Sequence, residues 1–222
     1  METLSAEEKA AQDWINETFK PGLSREEAIA RYEDWSGNYD EMLGQGRYRG
    51  PEILAVEAAR MVPEDRRKQM RILDVAAGTG LVGRELLKRG FTNLDALEPV
   101  EGMMKVLKER GIYSLKYQEF IGLGENTVPK DTYDLVVICG SIGDNLVPIK
   151  GIDDMIQFTK PGGLVIIASD LSCCNSADSD LKKLESYVDQ LEEKGVWRKE
   201  EKKMMPNFYF GEEGLYLIYR VL

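Results

Sequence analysis

The sequence contains no histidine. That excludes a Ser-His-Asp or Cys-His mechanism, because the imidazole base is missing. Cysteine is scarce too, with three residues, Cys139, Cys173 and Cys174. An odd number with two adjacent residues is not a disulfide framework, and no C-x-x-C spacing occurs. Without histidine or paired cysteines the donor set of a zinc site is missing, and no metal is expected. Such cysteine use fits a reducing, cytoplasmic setting. No apolar run approaches the roughly eighteen residues of a membrane span. The opening METLSAEEKAAQDWINETF is acidic and helical in pattern, with no basic segment leading into an apolar one, so a signal peptide is not expected. Positive charge is in deficit: 29 Lys and Arg against 39 Asp and Glu give a formal charge of −10. That argues against a nucleic-acid partner, whose backbone is held mostly by clustered cations. The one basic run, from Arg60 to Arg71, reads as a solvated helix end and loop.

What remains is an ordinary globular mix, 43% hydrophobic and 31% charged over 222 residues, enough for one α/β domain. The first fifty residues are helical in pattern. Leu4 to Phe19 forms one segment. A second starts at Ser24, with Glu27 three residues on as in a capping box, and runs through Tyr32 and Trp35 to about Asn38. Glycines 44, 46 and 50 mark a loop, and Pro51 opens a helix over Glu52 to Met61. From residue 71 short apolar runs alternate with helical stretches. The expected strands are Arg71–Ala76, Asn93–Leu97, Ser114–Phe120, Asp134–Cys139 and Leu164–Ser169. The expected helices are Leu81–Arg89, Glu101–Arg110 and Ile152–Thr159. A long helix, Asp178–Lys194, precedes two strands, Lys203–Phe210 and Gly214–Leu222, joined as a hairpin. This predicts an α/β fold with a mostly parallel sheet, helices on both faces and an antiparallel end. Residues 1–50 are expected to cap a single unit formed by residues 51–222.

The stretch RILDVAAGTGLVG, residues 71–83, is a strand that turns over glycines into a helix. Read from Gly78 it is G-x-G-x-x-G, the dinucleotide pattern. Read from Asp74 it is D-x-A-A-G-x-G. A tight turn without a ligand would use the same glycines, but Glu98 follows the second strand about twenty residues later, where a carboxylate can accept from ribose hydroxyls. NAD and S-adenosylmethionine (SAM) both carry that ribose. Asp74 separates them: a carboxylate just before the loop is poorly placed against an anionic pyrophosphate. SAM has an ammonium and a sulfonium instead.

ILDVAAGTG, ALEPVEGMM, YDLVVICGSIGD and TKPGGLVIIAS, in this order and spacing, resemble the motifs of class I SAM-dependent methyltransferases. The resemblance covers about residues 32–222. It implies a Rossmann-like seven-stranded sheet whose last strand is reversed. It implies that Asp74, Ala76, Gly78 and Gly80 line the methionine part of SAM, that Glu98 holds the ribose, and that Pro99 and Met103 lie beside the adenine. Ile121, Gly122 and Leu123 would edge the adenine from the other side. Cys139 and Gly140 would sit under the sulfonium, and Tyr39 in WSGNYD would close over the cofactor. Two positions depart from the family: Ala76 replaces its usual first glycine, and Gly122 stands where an Asp often bonds the adenine amino group. The second leaves that contact to backbone groups or to a neighbour such as Glu119.

Bland alternatives stand beside several of these residues. Met103 suits a helix core as well as a cofactor wall. Cys139 reads as a small buried residue rather than a nucleophile. Tyr32, Trp35 and Tyr39 share a helix face and could pack a core or close a lid. Methyl transfer is an in-line displacement in which positioning does most of the work. A base is needed only for a protonated nucleophile, and the candidates are Asp144, Tyr39 or another carboxylate. No Asn-Pro-Pro-aromatic or Pro-Cys signature marks a nucleic-acid enzyme, so the expected acceptor is a small molecule, with a protein side chain second. A SAM-binding module without catalysis and an NAD-dependent oxidoreductase remain as alternatives.

Overall fold

In the computed structural model, which describes residues 5–18, 20, 22–44, 46–143, 146–170 and 180–222, the apolar runs become strands of one sheet. The strands are β1 Arg71–Val75, β2 Asn93–Leu97, β3 Lys116–Tyr117, β4 Tyr133–Cys139, β5 Thr159–Asp170, β6 Trp197–Tyr209 and β7 Glu212–Val221. Their order is β3-β2-β1-β4-β5-β7-β6. The sheet is parallel from β3 to β5, and β7 runs antiparallel to both of its neighbours. The helices are α1 Ala6–Thr18, α2 Arg25–Trp35, α3 Tyr39–Leu43, α4 Gly50–Met61, α5 Glu64–Arg67, α6 Leu81–Lys88, α7 Glu101–Arg110, α8 Gly151–Phe158 and α9 Asp180–Glu193.

Strand side chains alternate between the two faces, so a sheet covered on both sides needs an unbroken apolar run. Leu135, Val137 and Cys139 of β4 join Ile166 of β5 and Ile218 of β7 on one face, under Leu54 and Ala58 of α4, Leu86 of α6 and Leu107 of α7. Val136 and Ile138 join Val165, Ile167 and Leu217 on the other, under Ile152 and Met155 of α8 and Val188 of α9. A third cluster, Ile15, Trp35, Leu43 and Phe210, ties α1–α3 to the tip of the β6–β7 hairpin. Residues 47–49 run along that tip: Phe210 N–H donates to the Arg47 carbonyl at 2.6 Å and Arg49 N–H to that of Phe208 at 2.8 Å. The expected capping box of α2 is present, with Ser24 Oγ accepting from Glu27 N–H at 3.2 Å and the Glu27 carboxylate from Ser24 N–H at 2.7 Å.

Several elements differ from the sequence expectation, and β5 begins at Thr159, five residues before its expected start at Leu164. β3 is two residues rather than seven, because past Tyr117 the chain leaves β2 and Glu119 turns to bond Thr127 N–H at 2.7 Å. β6 begins at Trp197, six residues before the expected start, because its charged residues sit on an edge strand where they are solvated. α2 stops at Trp35, and a turn separates it from α3.

Trp197 anchors this end of the sheet. It is 1% exposed, stacks on Tyr219 with centroids 4.0 Å apart, and donates its indole N–H to the Val188 carbonyl of α9 at 3.1 Å. Trp197→Ala removes that packing and the indole hydrogen bond. It is expected to cost about 3–5 kcal/mol, read as a lowered midpoint in urea unfolding with the slope unchanged.

Candidate functional site

The strand order reverses direction between β1 and β4, and in such sheets ligands bind beyond the carboxyl ends of the strands at that point. There β1 enters a turn in which Ala76, Gly78 and Gly80 have φ of 51°, 57° and 91°. Left-handed backbone suits glycine, and Ala76 adopts it without that freedom. A Cβ on Gly78 would meet nothing within 4 Å, so the backbone faces open space.

That space is a cleft of about 900 Å³, solvent included. Its floor is Ala76, Ala77 and Gly78 of the turn, with Cys139 and Gly140 ending β4. One side is Glu98, Pro99, Val100 and Met103, and another is Glu119, Phe120 and Ile121. Tyr32, Tyr39 and Tyr48 close over it from the N-terminal helices and the loop after them. Glu98 is 4% exposed, and its two oxygens accept from Gly78 N–H and Val100 N–H, each at 2.8 Å. The carboxylate after β2 is thus fastened to the turn after β1.

The roof is fastened as well. Asp40 of α3 accepts from the Thr79 hydroxyl at 2.6 Å and pairs with Arg110 of α7, which also donates to the Thr79 carbonyl. Glu33 of α2 accepts from Gly102 N–H in the first turn of α7 at 2.8 Å. Trp35 is buried with its ring edge-on to Tyr39, centroids 4.6 Å apart, while Tyr32 and Tyr39 reach the cleft. Trp35 therefore belongs to the core of the N-terminal helices, and Tyr32 and Tyr39 both pack against that core and line the cleft.

Burial sets the electrostatics. It raises the Asp74 and Glu98 carboxyls to about 7 each, against the hydrogen bonds that favour their charged forms. It pushes the Tyr39 hydroxyl well above the ordinary phenol range, reinforced by Tyr32, Tyr209, Cys139 and Glu98. Tyr39 is therefore a neutral hydroxyl at pH 7, suited to orienting a partner rather than removing a proton.

Of the residues singled out in the sequence, Tyr39, Ala76, Gly78, Glu98, Pro99, Met103, Ile121, Cys139 and Gly140 come together around the cleft. Four do not. Asp74 is 1% exposed beneath the turn, with Oδ2 taking the Tyr113 hydroxyl at 2.5 Å and Oδ1 without a partner among the described residues. Gly80 caps α6 and faces Tyr113 and Arg110. Gly122 is drawn to α8, its N–H donating to Asp154 at 2.6 Å, and Leu123 is exposed behind it. Phe120 and Glu119 line the cleft instead. Asp144, the other candidate base, lies outside the described residues, as do Cys173 and Cys174.

Tyr48 was not legible in the sequence. Its hydroxyl donates to Cys139 Sγ at 3.2 Å, and a Cβ on Gly140 would meet that hydroxyl at 2.5 Å. Among the described residues, no helix is long and apolar enough to cross a membrane.

Comparison with known proteins places this geometry. The family model described as a methyltransferase domain matches residues 46–215. The chain is 34% identical over 167 residues to methyltransferase-like protein 27 of Homo sapiens, covering 75% of this chain and 66% of that protein. It is 31% identical over 148 residues to the demethylmenaquinone methyltransferase of Renibacterium salmoninarum, 64% of this chain and 58% of that one. The chain thus spans somewhat less than two thirds of these relatives. Among solved structures, a SAM-dependent methyltransferase from Aquifex aeolicus has the same fold, with a TM-score of 0.60 at 16% identity over 86% of this chain and 98% of that one. The chain belongs to the methyltransferase-domain family.

Proposed function

We propose that the cleft holds SAM with its ribose on Glu98 and transfers the methyl group to a small, largely apolar acceptor under Tyr32, Tyr39 and Tyr48. The observation that carries this reading is Glu98, a buried carboxylate that ends β2, lines the cleft and is bound to the glycine turn. The surroundings fit the cofactor. The Gly78 backbone is open to close approach, and beneath the turn Asp74 Oδ1 is a buried acceptor without a partner among the described residues. The described lining residues include two carboxylates and no Lys or Arg, which suits a cationic donor and disfavours an anionic acceptor. The aromatic walls suit a planar acceptor, the kind of substrate named by the demethylmenaquinone relatives.

When bound, SAM supplies a methyl group on a positively charged sulfur; the acceptor lone pair bonds to carbon as the carbon–sulfur bond breaks, and S-adenosylhomocysteine leaves. The chain's contribution is alignment. Ile121, Pro99 and Met103 grip the adenine, Cys139 and Gly140 form the wall under the reacting centre, and the Tyr39 hydroxyl orients the acceptor.

Calorimetric titration with SAM, S-adenosylhomocysteine and NAD tests the cofactor. Micromolar or tighter binding of both adenosyl ligands is expected, with NAD silent. Glu98→Ala should weaken SAM at least tenfold, about 1.4 kcal/mol. NAD binding with SAM silent would overturn the reading. Release of S-adenosylhomocysteine with neutral aromatic acceptors, but not with benzoates, separates an enzyme from a binding module.

The buried carboxyls also predict how the ligand-free protein responds to pH. Their folded values near 7 lie above the ordinary 3.8 and 4.5, so between about pH 4 and 7 the folded state binds more protons than the unfolded one. Their contribution is therefore fully present below about pH 4 and lost as pH rises through 7. Asp74→Asn should flatten this part of the urea-midpoint profile; an unchanged slope between pH 5 and 7 would contradict the assignment.

A further inference from the structure

Tyr113 follows α7 and is buried against the sheet face that carries Asp74. Its hydroxyl has two partners. It donates to Asp74 Oδ2 at 2.5 Å and accepts from Gly83 N–H at 3.1 Å. Gly83 lies in the first turn of α6, whose N-cap is Gly80 and has no side-chain cap bond. The phenol therefore takes the place of an N-cap side chain: it satisfies an N–H that the helix leaves open and passes its own proton to a strand carboxylate. A Cβ on Gly83 would collide with the Tyr113 hydroxyl. The third glycine of the G-x-G-x-x-G pattern is thus demanded by the phenol packed against it.

We propose that Tyr113 is a positioning residue of the cofactor site: its hydroxyl, wedged between Asp74 and Gly83 N–H, holds the Asp74 carboxylate and the start of α6 beneath the glycine turn, where the buried charge attracts the ammonium end of SAM. This rests on the function proposed above. The hydroxyl has a single proton, and Gly83 N–H occupies one of its lone pairs, so its donation to Asp74 is fixed in direction. Burial and the neighbouring Asp74 push the phenol well above its ordinary range, so it stays a donor across the working pH. Asp74 is faced by this hydroxyl, by Gly83 N–H and by the Glu98 carboxylate, while Arg110 on α7 acts on Tyr113. The two hydrogen bonds favour the ionised carboxylate, and burial and Glu98 oppose it. Oδ1, the oxygen that Tyr113 does not occupy, is buried and has no partner among the described residues.

The experiment is SAM affinity measured by calorimetry from pH 5.5 to 8.5. In the wild type, affinity should fall as pH drops through the midpoint of Asp74. Tyr113→Phe removes the donor, so Asp74 keeps its proton to higher pH. The midpoint should rise by about one pH unit, and SAM should bind about tenfold more weakly at pH 7. A purely structural tyrosine would lower the melting temperature and leave the midpoint where it was, which would overturn the proposal. Should Tyr113→Phe fold poorly, 3-fluorotyrosine at position 113 keeps the shape and makes a stronger donor; the midpoint should then fall, and no movement would overturn the proposal equally. In an Asp74→Asn background Tyr113→Phe should have no further effect on the profile. Absence of SAM binding to the wild type at every pH would instead overturn the proposed function, and this role with it.

Discussion

Two carboxylates buried at the ends of neighbouring strands govern this site. Removing an ionised carboxylate from water costs several kcal/mol unless donors replace the lost hydration. Asp74 and Glu98 are each tied to the segment between β1 and α6, Glu98 directly and Asp74 through Tyr113, with Asp74 Oδ1 left without a partner among the described residues. Glu98 takes the N–H groups of Gly78 and Val100, and Asp74 takes the phenol that in turn accepts from Gly83. The turn between β1 and α6 is thereby held from β2 on one side and from the end of α7 on the other. Its left-handed residues are the conformational counterpart of that arrangement. Ala76 at φ 51° carries a strain of about 1–2 kcal/mol that glycine would avoid, and the surrounding bonds hold it there.

Much of the fold was legible because burial imposes periodicity. The runs that became β1, β2 and β4 are apolar on both faces, and their ends lie within a residue or so of the expected positions. The capping box of α2 was legible because it is a local exchange of two hydrogen bonds. What escaped depends on distant partners. The early end of β3 follows from Glu119 bonding Thr127, and the displacement of Gly122 from the cleft follows from Asp154 on α8. Tyr48 and Tyr113 carry no motif at all; each matters because its hydroxyl lies where a glycine leaves room, Gly140 for one and Gly83 for the other.

The same reasoning explains why the glycine loop was ambiguous on the page. A G-x-G-x-x-G pattern records where side chains are excluded, not what excludes them. In a dinucleotide site the excluding atoms include a pyrophosphate. Here the excluding atoms at Gly83 belong to Tyr113, and those at Gly80 to Tyr113 and Arg110. The spacing is shared, while the acidic residue before the loop is the difference with chemical meaning.

The middle residue of the loop extends the argument to the roof of the cleft. Thr79 is gripped at its hydroxyl by Asp40 and at its carbonyl by Arg110, and Asp40 and Arg110 pair with each other. Asp40 directly follows Tyr39, so the loop cannot shift without moving an aromatic wall of the cavity. The Asp40–Arg110 pair is half-buried, which discounts its ionic worth. Its value is geometric: three elements far apart in sequence share one threonine. Floor and roof of the cleft are therefore tied to each other through Thr79, and Tyr39 is set over the turn by the residue that follows it.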